Sequence, residues 1–404
     1  MEMLKANRYF EKLFSNIKIL LFPGPQFTFM VIFLVLLFYS CNNKKSIETA
    51  EPSISYEPWS IEKANEWYAN YSWLVGANFG PSTAINQLEM WQESTFDTET
   101  IDRELGWAAD LGMNVMRVYL HHMLWDQDSK GFLQRMERYL EIADKHGIVT
   151  MFVLLDDVWD PDPKLGIQNE PTPHRHNSGW VQSPGREILS DTTRHESLKA
   201  YIKGTIAHFK DDKRILLWDL YNEPGNTNGS SYGEKEPENK NVLSTALMKK
   251  VFQWAREAGP VQPVSVGAWT GDWVAGSNMS AITKMAIEES DVITFHSYND
   301  PPGFEERVLA LKKYDKPLIC TEYMARPTGS TFQAILPIAK EHKVAMINWG
   351  LVSGKTQTIY PWDSWWKEYN AEPPLWFHDI FHQDGTPYKS EEVDFIKEII
   401  KSGK

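Results

Sequence analysis

The sequence predicts a single α/β domain, a (β/α)8 barrel over residues 59–404, with long loops after its third and eighth strands. Three observations lead there. From Trp73 onward, eight short and nearly continuous apolar runs alternate with amphipathic stretches, as strands buried on both faces alternate with covering helices. Two of the segments that follow a run are far longer than a plain connection, at about 35 and about 40 residues. The turn Gly76-Ala77-Asn78-Phe79-Gly80-Pro81 does not match GxGxxG. The rival architecture, an open doubly wound sheet, would need that turn to bind a nucleotide.

In chain order, strands are expected over residues 73–79, 114–120, 148–155, 215–221, 263–268, 292–296, 317–321 and 344–349. A helix is expected over 98–111, where Ile101, Leu105, Ala108 and Leu111 recur at three-to-four spacing and Gly112 stops the pattern. Another, over 131–146, carries Leu133, Met136, Leu140 and Ala143 and stops at Gly147. Further helices are expected over 192–209, 242–258, 282–288, 304–314, 330–342 and 391–401. The long segments, 156–191 and 350–390, follow strand C-termini, the binding face of such barrels, and read as lids or binding loops.

Ahead of this body stand Lys5, Arg8, Lys12 and Lys18, then an apolar run over 27–39 that ends at Ser40-Cys41. The run is short for a membrane span and suits the apolar core of a signal peptide. The junction resembles a bacterial lipoprotein cleavage site. That implies a leader over 1–40, lipidation of Cys41, a polar tether over 41–58 and an extracytoplasmic domain held to a membrane only by its lipid. An uncleaved membrane anchor is the alternative. Composition excludes other classes. With 41 basic against 54 acidic side chains the net charge is -13, against a nucleic-acid partner. Aromatics at 13% exceed what a disordered chain carries, and two cysteines make no disulfide framework. Cys320, inside an apolar run, reads as a buried small hydrophobe.

Strand four runs into Trp218-Asp219-Leu220-Tyr221-Asn222-Glu223-Pro224, and strand seven into Cys320-Thr321-Glu322-Tyr323. Taken singly, either glutamate is as readily a strand-end salt bridge or cap as a catalyst. An Asn-Glu-Pro triplet ending strand four together with an acid ending strand seven resembles the clan of retaining β-glycoside hydrolases on (β/α)8 barrels. Within it, the pattern is most similar to family five, the cellulase and mannanase group. The resemblance implies Glu223 as general acid/base, Glu322 as nucleophile and Asn222 on the sugar 2-hydroxyl. It further implies that Arg117 holds Glu322 ionised, that His296 and Tyr298 line the same subsite, and that Trp349 is the floor under the reacting sugar. The implied partner is a carbohydrate, a β-linked mannan, glucan or xylan or an oligosaccharide from one, with no cofactor, no metal and a monomeric chain. Three rivals use a barrel: a glycan-binding protein that has lost turnover, a transglycosylase, and a metal-dependent hydrolase.

One position departs from the family pattern. Where many of its members carry a histidine near the end of strand three, this chain reads Leu155-Asp156-Asp157-Val158-Trp159. Asp156-Asp157 suggests a strand-end hydrogen-bonding role ahead of calcium. Tryptophans crowd the segments after strands, and the group Trp362-Trp365-Trp366 is a candidate sugar platform beside Trp349, since a sugar presents a flat C–H face to an aromatic ring. Each of them could equally be filling the small core of a long loop. His121-His122 and His174-x-His176 lack a third ligand at a telling spacing, and Gly354-Lys355-Thr356 lacks the first glycine of a phosphate loop.

Overall fold

The computed structural model describes residues 57–402 apart from Ser277. The expected leader, Cys41 and nearly all of the tether lie outside the described residues. Eight parallel strands form one sheet in the order β5-β4-β3-β2-β1-β8-β7-β6. They are β1 (Val75–Asn78), β2 (Val115–Tyr119), β3 (Val149–Val153), β4 (Ile215–Asn222), β5 (Val264–Gly267), β6 (Ile293–His296), β7 (Leu318–Glu322) and β8 (Ala345–Asn348). β1 pairs with β2 on one side and β8 on the other. The remaining seam, β5 to β6, is joined by the parallel bridge Ala268↔Phe295 and by bonds such as His296 N–H to the Ala268 carbonyl at 2.9 Å. The expected (β/α)8 barrel is therefore what the chain forms. Seven of the strands are buried at every residue, which is why their sequences read as unbroken apolar runs.

The helices are α1 (Ile61–Tyr68), α2 (Gln87–Trp91), α3 (Thr98–Asp110), α4 (His122–Lys145), α5 (Arg186–Leu189), α6 (Lys199–Phe209), α7 (Lys240–Glu257), α8 (Ala281–Glu288), α9 (Pro301–Leu311), α10 (Phe332–Glu341) and α11 (Ser390–Lys401). α3 starts where Asp97 accepts the Thr100 N–H at 3.0 Å and stops at Gly112, whose φ of 87° only glycine adopts freely. α4 begins nine residues before the expected start. Its first turns are set off by a non-helical Asp128 (φ -161°), which accepts the Gly131 N–H at 2.9 Å and so restarts the helix where the apolar spacing begins.

α1, which the apolar pattern does not announce, covers the end of the barrel where the strands begin. Trp59 N–H donates to Asp291 Oδ1 at 2.8 Å, Asn65 to the Asp315 carbonyl at 2.8 Å and the Tyr68 hydroxyl to the Lys343 carbonyl at 3.1 Å. Under it lies an apolar layer that includes Val115, Met151, Leu217, Ile319 and Ile347, roofed by Trp67 and Tyr71. The opposite end stays open and carries the long loops: loop three, residues 154–185, and loop eight, residues 349–389. They are knit together. Asn177 N–H donates to the Thr356 carbonyl at 2.8 Å, His176 Nδ1 meets the Tyr360 carbonyl at 2.7 Å, and Trp365 Nε1 donates to the His176 carbonyl at 2.9 Å. Gln357 Nε2 donates to the Thr172 carbonyl at 2.7 Å, and the Trp159 and Trp365 rings stack at 5.5 Å.

Candidate active site

The strand ends deliver the acidic pair. Glu223 follows β4 directly, at φ 43°, a left-handed conformation that costs a non-glycine residue about 1–3 kcal/mol unless its surroundings hold it. Asp157 supplies the hold. Its carboxylate accepts from the Tyr221 hydroxyl at 2.7 Å, the Gly225 N–H at 2.7 Å and the Ser244 hydroxyl at 2.5 Å. Those donors occupy Asp157, so its part is the strand-end hydrogen bonding that the sequence suggested.

Glu322 ends β7. Its Oε1 accepts from Arg117 Nη1 at 3.0 Å and the Tyr119 hydroxyl at 3.0 Å, and its Oε2 from the Tyr298 hydroxyl at 2.8 Å. Glu223 Oε2 accepts from Asn226 Nδ2 at 2.6 Å, while its Oε1 lies 2.7 Å from His296 Nδ1. His296 Nδ1 is also 3.5 Å from Glu322 Oε2. One oxygen of each glutamate and a His296 nitrogen lie within 4.8 Å of one another. That is metal-like spacing, but a cation there would enter beside the fixed charge of Arg117.

Arg117 is the hub beneath. Fully buried, it donates to Asp219 Oδ2 at 2.9 Å, Asn78 Oδ1 at 2.9 Å and Asn222 Oδ1 at 2.7 Å, besides Tyr119 and Glu322. Burial alone would lower its pKa, but the facing oxygens of Tyr119, Asp219 and Glu322 raise it, so the guanidinium stays charged. Asn222 is held at both ends. Arg117 takes its oxygen, and its Nδ2 donates to Asp156 Oδ1 at 2.9 Å. Asp156 Oδ2 in turn accepts from Trp180 Nε1 at 2.8 Å.

Burial pushes Glu223 up to about 7, although its bond from Asn226 and the charge of Arg117 pull the other way. Burial drives His296 down to about 4, so its ring is neutral near pH 7. Burial, then the neighbouring Glu322, raises the Tyr298 phenol well above its ordinary value, and it remains a donor. Burial also pushes Asp156 up to about 7.

The seven side chains expected at the site converge. Glu223, Glu322, Asn222, His296, Tyr298 and Trp349 line one open cavity of about 1190 Å³, and Arg117 lies under them. The Trp349 ring meets the edges of Tyr119 and Trp180, each at 5.8 Å. Trp159, Trp180, Trp269, Trp362 and Trp366 share the cavity. Others are structural. Trp91 is fully buried and donates to the Tyr119 carbonyl at 2.8 Å, and Trp376 stacks on Tyr388 at 4.5 Å. The expected platform of three tryptophans divides. Trp365 is committed to Trp159, Tyr232 and Arg175, whereas Trp366 is 67% exposed on the cavity's lip. His121 meets the Gln182 carbonyl at 2.9 Å and His122 the Ser183 hydroxyl at 3.0 Å, and Lys355 pairs with Glu89 at 2.7 Å, so none of these reaches the site.

Sequence reasoning missed Tyr119, Asp219, Asn177 and His378. Tyr119 was findable, since it lies two residues beyond Arg117 on the same face of β2. Asp219, an acid inside an apolar run, was also a signal. Asn177 and His378 sit in the long loops, where no periodicity marks them.

The family model described as cellulase (glycosyl hydrolase family 5) matches residues 70–355. Solved structures share the barrel at low identity. The β-1,4-mannanase from the common sea hare Aplysia kurodai is 17% identical with a TM-score of 0.52, over 69% of this chain and 88% of that one. A GH5_18 protein from Streptomyces cattleya in complex with GlcNAc is 12% identical with a TM-score of 0.54, over 82% and 80%. The exo-β-1,4-mannosidase from Opitutaceae bacterium strain TAV5 is 18% identical with a TM-score of 0.54, over 82% of this chain and 59% of that one. Among curated proteins no match is found.

Proposed function

The chain belongs to glycosyl hydrolase family 5 and is a glycoside hydrolase, and from that membership we propose that it cleaves β-linked sugars by double displacement with retention. The spacing of the two acids carries the reading. An oxygen of Glu223 and one of Glu322 lie within 4.8 Å. Both also meet His296 Nδ1, at 2.7 and 3.5 Å, and this close approach supports the short carboxyl separation of a retaining enzyme over the wider gap that an inverting enzyme keeps for a water.

In this mechanism Glu322 attacks the anomeric carbon, its oxygens aligned by Arg117, Tyr119 and Tyr298. Glu223, holding a proton near neutral pH, gives it to the leaving oxygen. The covalent glycosyl-enzyme then meets water, from which Glu223, now a carboxylate, removes a proton. Asn222, pinned between Arg117 and Asp156, keeps an N–H free for the sugar 2-hydroxyl. Trp349 offers its face to the ring.

Mannosides head the panel of substrates to assay, because mannan-cleaving enzymes are among the similar structures, ahead of glucans and xylans. The test is trapping. A 2-deoxy-2-fluoro glycoside with a good leaving group should leave a stable adduct on the peptide that contains Glu322. No adduct on any sugar that the enzyme turns over, or one on another residue, would end the assignment. We further propose a monomer held outside the cytoplasm by lipid on Cys41. Radiolabelled palmitate should enter the wild type and not Cys41→Ala, and equal labelling of the two would refute the anchor.

A further inference from the structure

Loops three and eight do more than border the cavity. The backbone bond of Asn177, the side-chain bonds of His176 and Gln357 to backbone carbonyls and the Trp159–Trp365 stack make a bridge across the barrel mouth. The bridge holds buried polar groups in the cavity wall without giving them partners. Asn177 is fully buried and lines the cavity, yet neither its Oδ1 nor its Nδ2 has a hydrogen-bond partner among the described residues. His378 is fully buried and lines the same cavity. Its Nδ1 is bonded to the Met324 carbonyl, so the proton sits there and Nε2 is left as a bare acceptor, also without a partner. Orphaned polar atoms at such positions are rare in native proteins and mark a place for a bound group.

The chemistry tells which end of the substrate this wall meets. The leaving group departs on the side of the acid, Glu223, where Asn226 and Trp269 lie. His378 instead packs on Tyr298 at 5.6 Å, and Tyr298 donates to the nucleophile. Trp180, whose N–H donates to the Asn177 carbonyl at 3.2 Å, packs on the floor residue Trp349. The wall therefore stands beyond the sugar that Glu322 attacks.

Resting on the retaining reading above, we propose that the bridge closes the non-reducing end of the cleft. Asn177 and His378 then receive the hydroxyls of a terminal sugar, and the enzyme releases single units from chain ends. A pyranose hydroxyl donates to His378 Nε2, and the Asn177 amide both donates and accepts, which suits the linkage-position hydroxyl that is free on a terminal sugar and is a hydrogen-less glycosidic oxygen in a continuing chain.

The experiment uses the full chain and β-1,4-linked oligosaccharides labelled at the reducing end, with aryl β-monoglycosides in parallel. Early products should be the labelled chain one unit shorter together with a monosaccharide. Asn177→Ala should lower kcat/KM on the aryl monoglycoside by about tenfold, with a thermal midpoint lowered only by what alanine costs at φ 50°, because no protein group loses a bond. His378→Asn, which can still donate to the Met324 carbonyl but lacks Nε2, should do the same. Where Asn177→Ala fails to fold, the isosteric Asn177→Asp serves in its place. Labelled fragments of mixed length from the first time points would overturn the inference and leave the glycosidase reading standing, as would wild-type kcat/KM in both variants. Wild-type silence on every aryl glycoside and oligosaccharide would sink both.

Discussion

Replacing Glu223 with glutamine tests the division of labour between the acids. In water a glutamic acid with its ordinary value of 4.5 would be only about 3% protonated at pH 6. With burial raising Glu223 to about 7, the protonated share at that pH is about nine-tenths, roughly a 30-fold gain in competent enzyme. The sign follows: the proton donor is present below about 7 and lost above it, so kcat/KM on an oligosaccharide should fall tenfold per pH unit beyond about 7. Glu223→Gln should remove that alkaline limb and lower kcat/KM on the oligosaccharide by about 10²–10⁴-fold. A dinitrophenyl glycoside, whose leaving group needs no proton, should be attacked by the variant at nearly the wild-type rate in a pre-steady-state burst. The assay is a stopped-flow pH series on both substrates. If Glu223→Gln keeps an alkaline limb near 7, the titrating group lies elsewhere. Asp156, also pushed up to about 7 by burial, would be the first suspect.

Other outcomes follow from the same contacts. Asp156→Ala frees the Asn222 amide that it orients, so kcat/KM should fall about 10-fold on a parent glycoside and much less on its 2-deoxy analogue, measured side by side. Arg117→Ala leaves Asp219 buried without its cation and should cost about 3–5 kcal/mol in urea unfolding, whatever it does to turnover. Glu104, fully buried against Ser82, is pushed up to about 7 by burial. A raised carboxyl stabilises the fold below its unfolded value and loses that contribution as pH rises to about 7, so Glu104→Gln should raise the thermal midpoint at pH 8 and not at pH 4. Trp365→Ala should lower the thermal midpoint by several degrees, and Trp366→Ala should leave it unchanged.

The strands were legible because burial on both faces forces an unbroken apolar run, and each observed strand falls within a residue or two of its expected bounds. α3 was legible through its spacing and its glycine stop. α2 and α5 were not, because each is too short for the spacing to repeat, and α1 was not because it presents its aromatics to the barrel base rather than to a helix layer. The acidic pair could be read because catalytic groups of a barrel sit one step past a strand, where position in the sequence fixes position in space. That step also carried Trp349, while Asn222 is the last residue of β4 and Arg117 lies within β2. The end wall of the cleft had no such anchor. Its making depends on bonds between residues far apart in the chain, such as Asn177 with Thr356, and no local pattern encodes such a partner.

That separation also sets a schedule for making the molecule. A chain delivered from its N-terminus presents Asn177 179 residues before the Thr356 carbonyl that receives its N–H. At a ribosome's pace of about 5–20 residues per second, loop three waits roughly 10–40 s for loop eight. Through that interval Trp159, Trp180 and His176, all destined for burial, lack the partners that will cover them. The barrel seam between β1 and β8, Gly76 with Ile347, closes later in chain order than most of its contacts and for the same reason. The wall that loops three and eight build over the cavity is thus the last to be finished and the first to need shelter from aggregation, so yield on expression at raised temperature should depend on chaperones more than the stability of the finished fold would suggest.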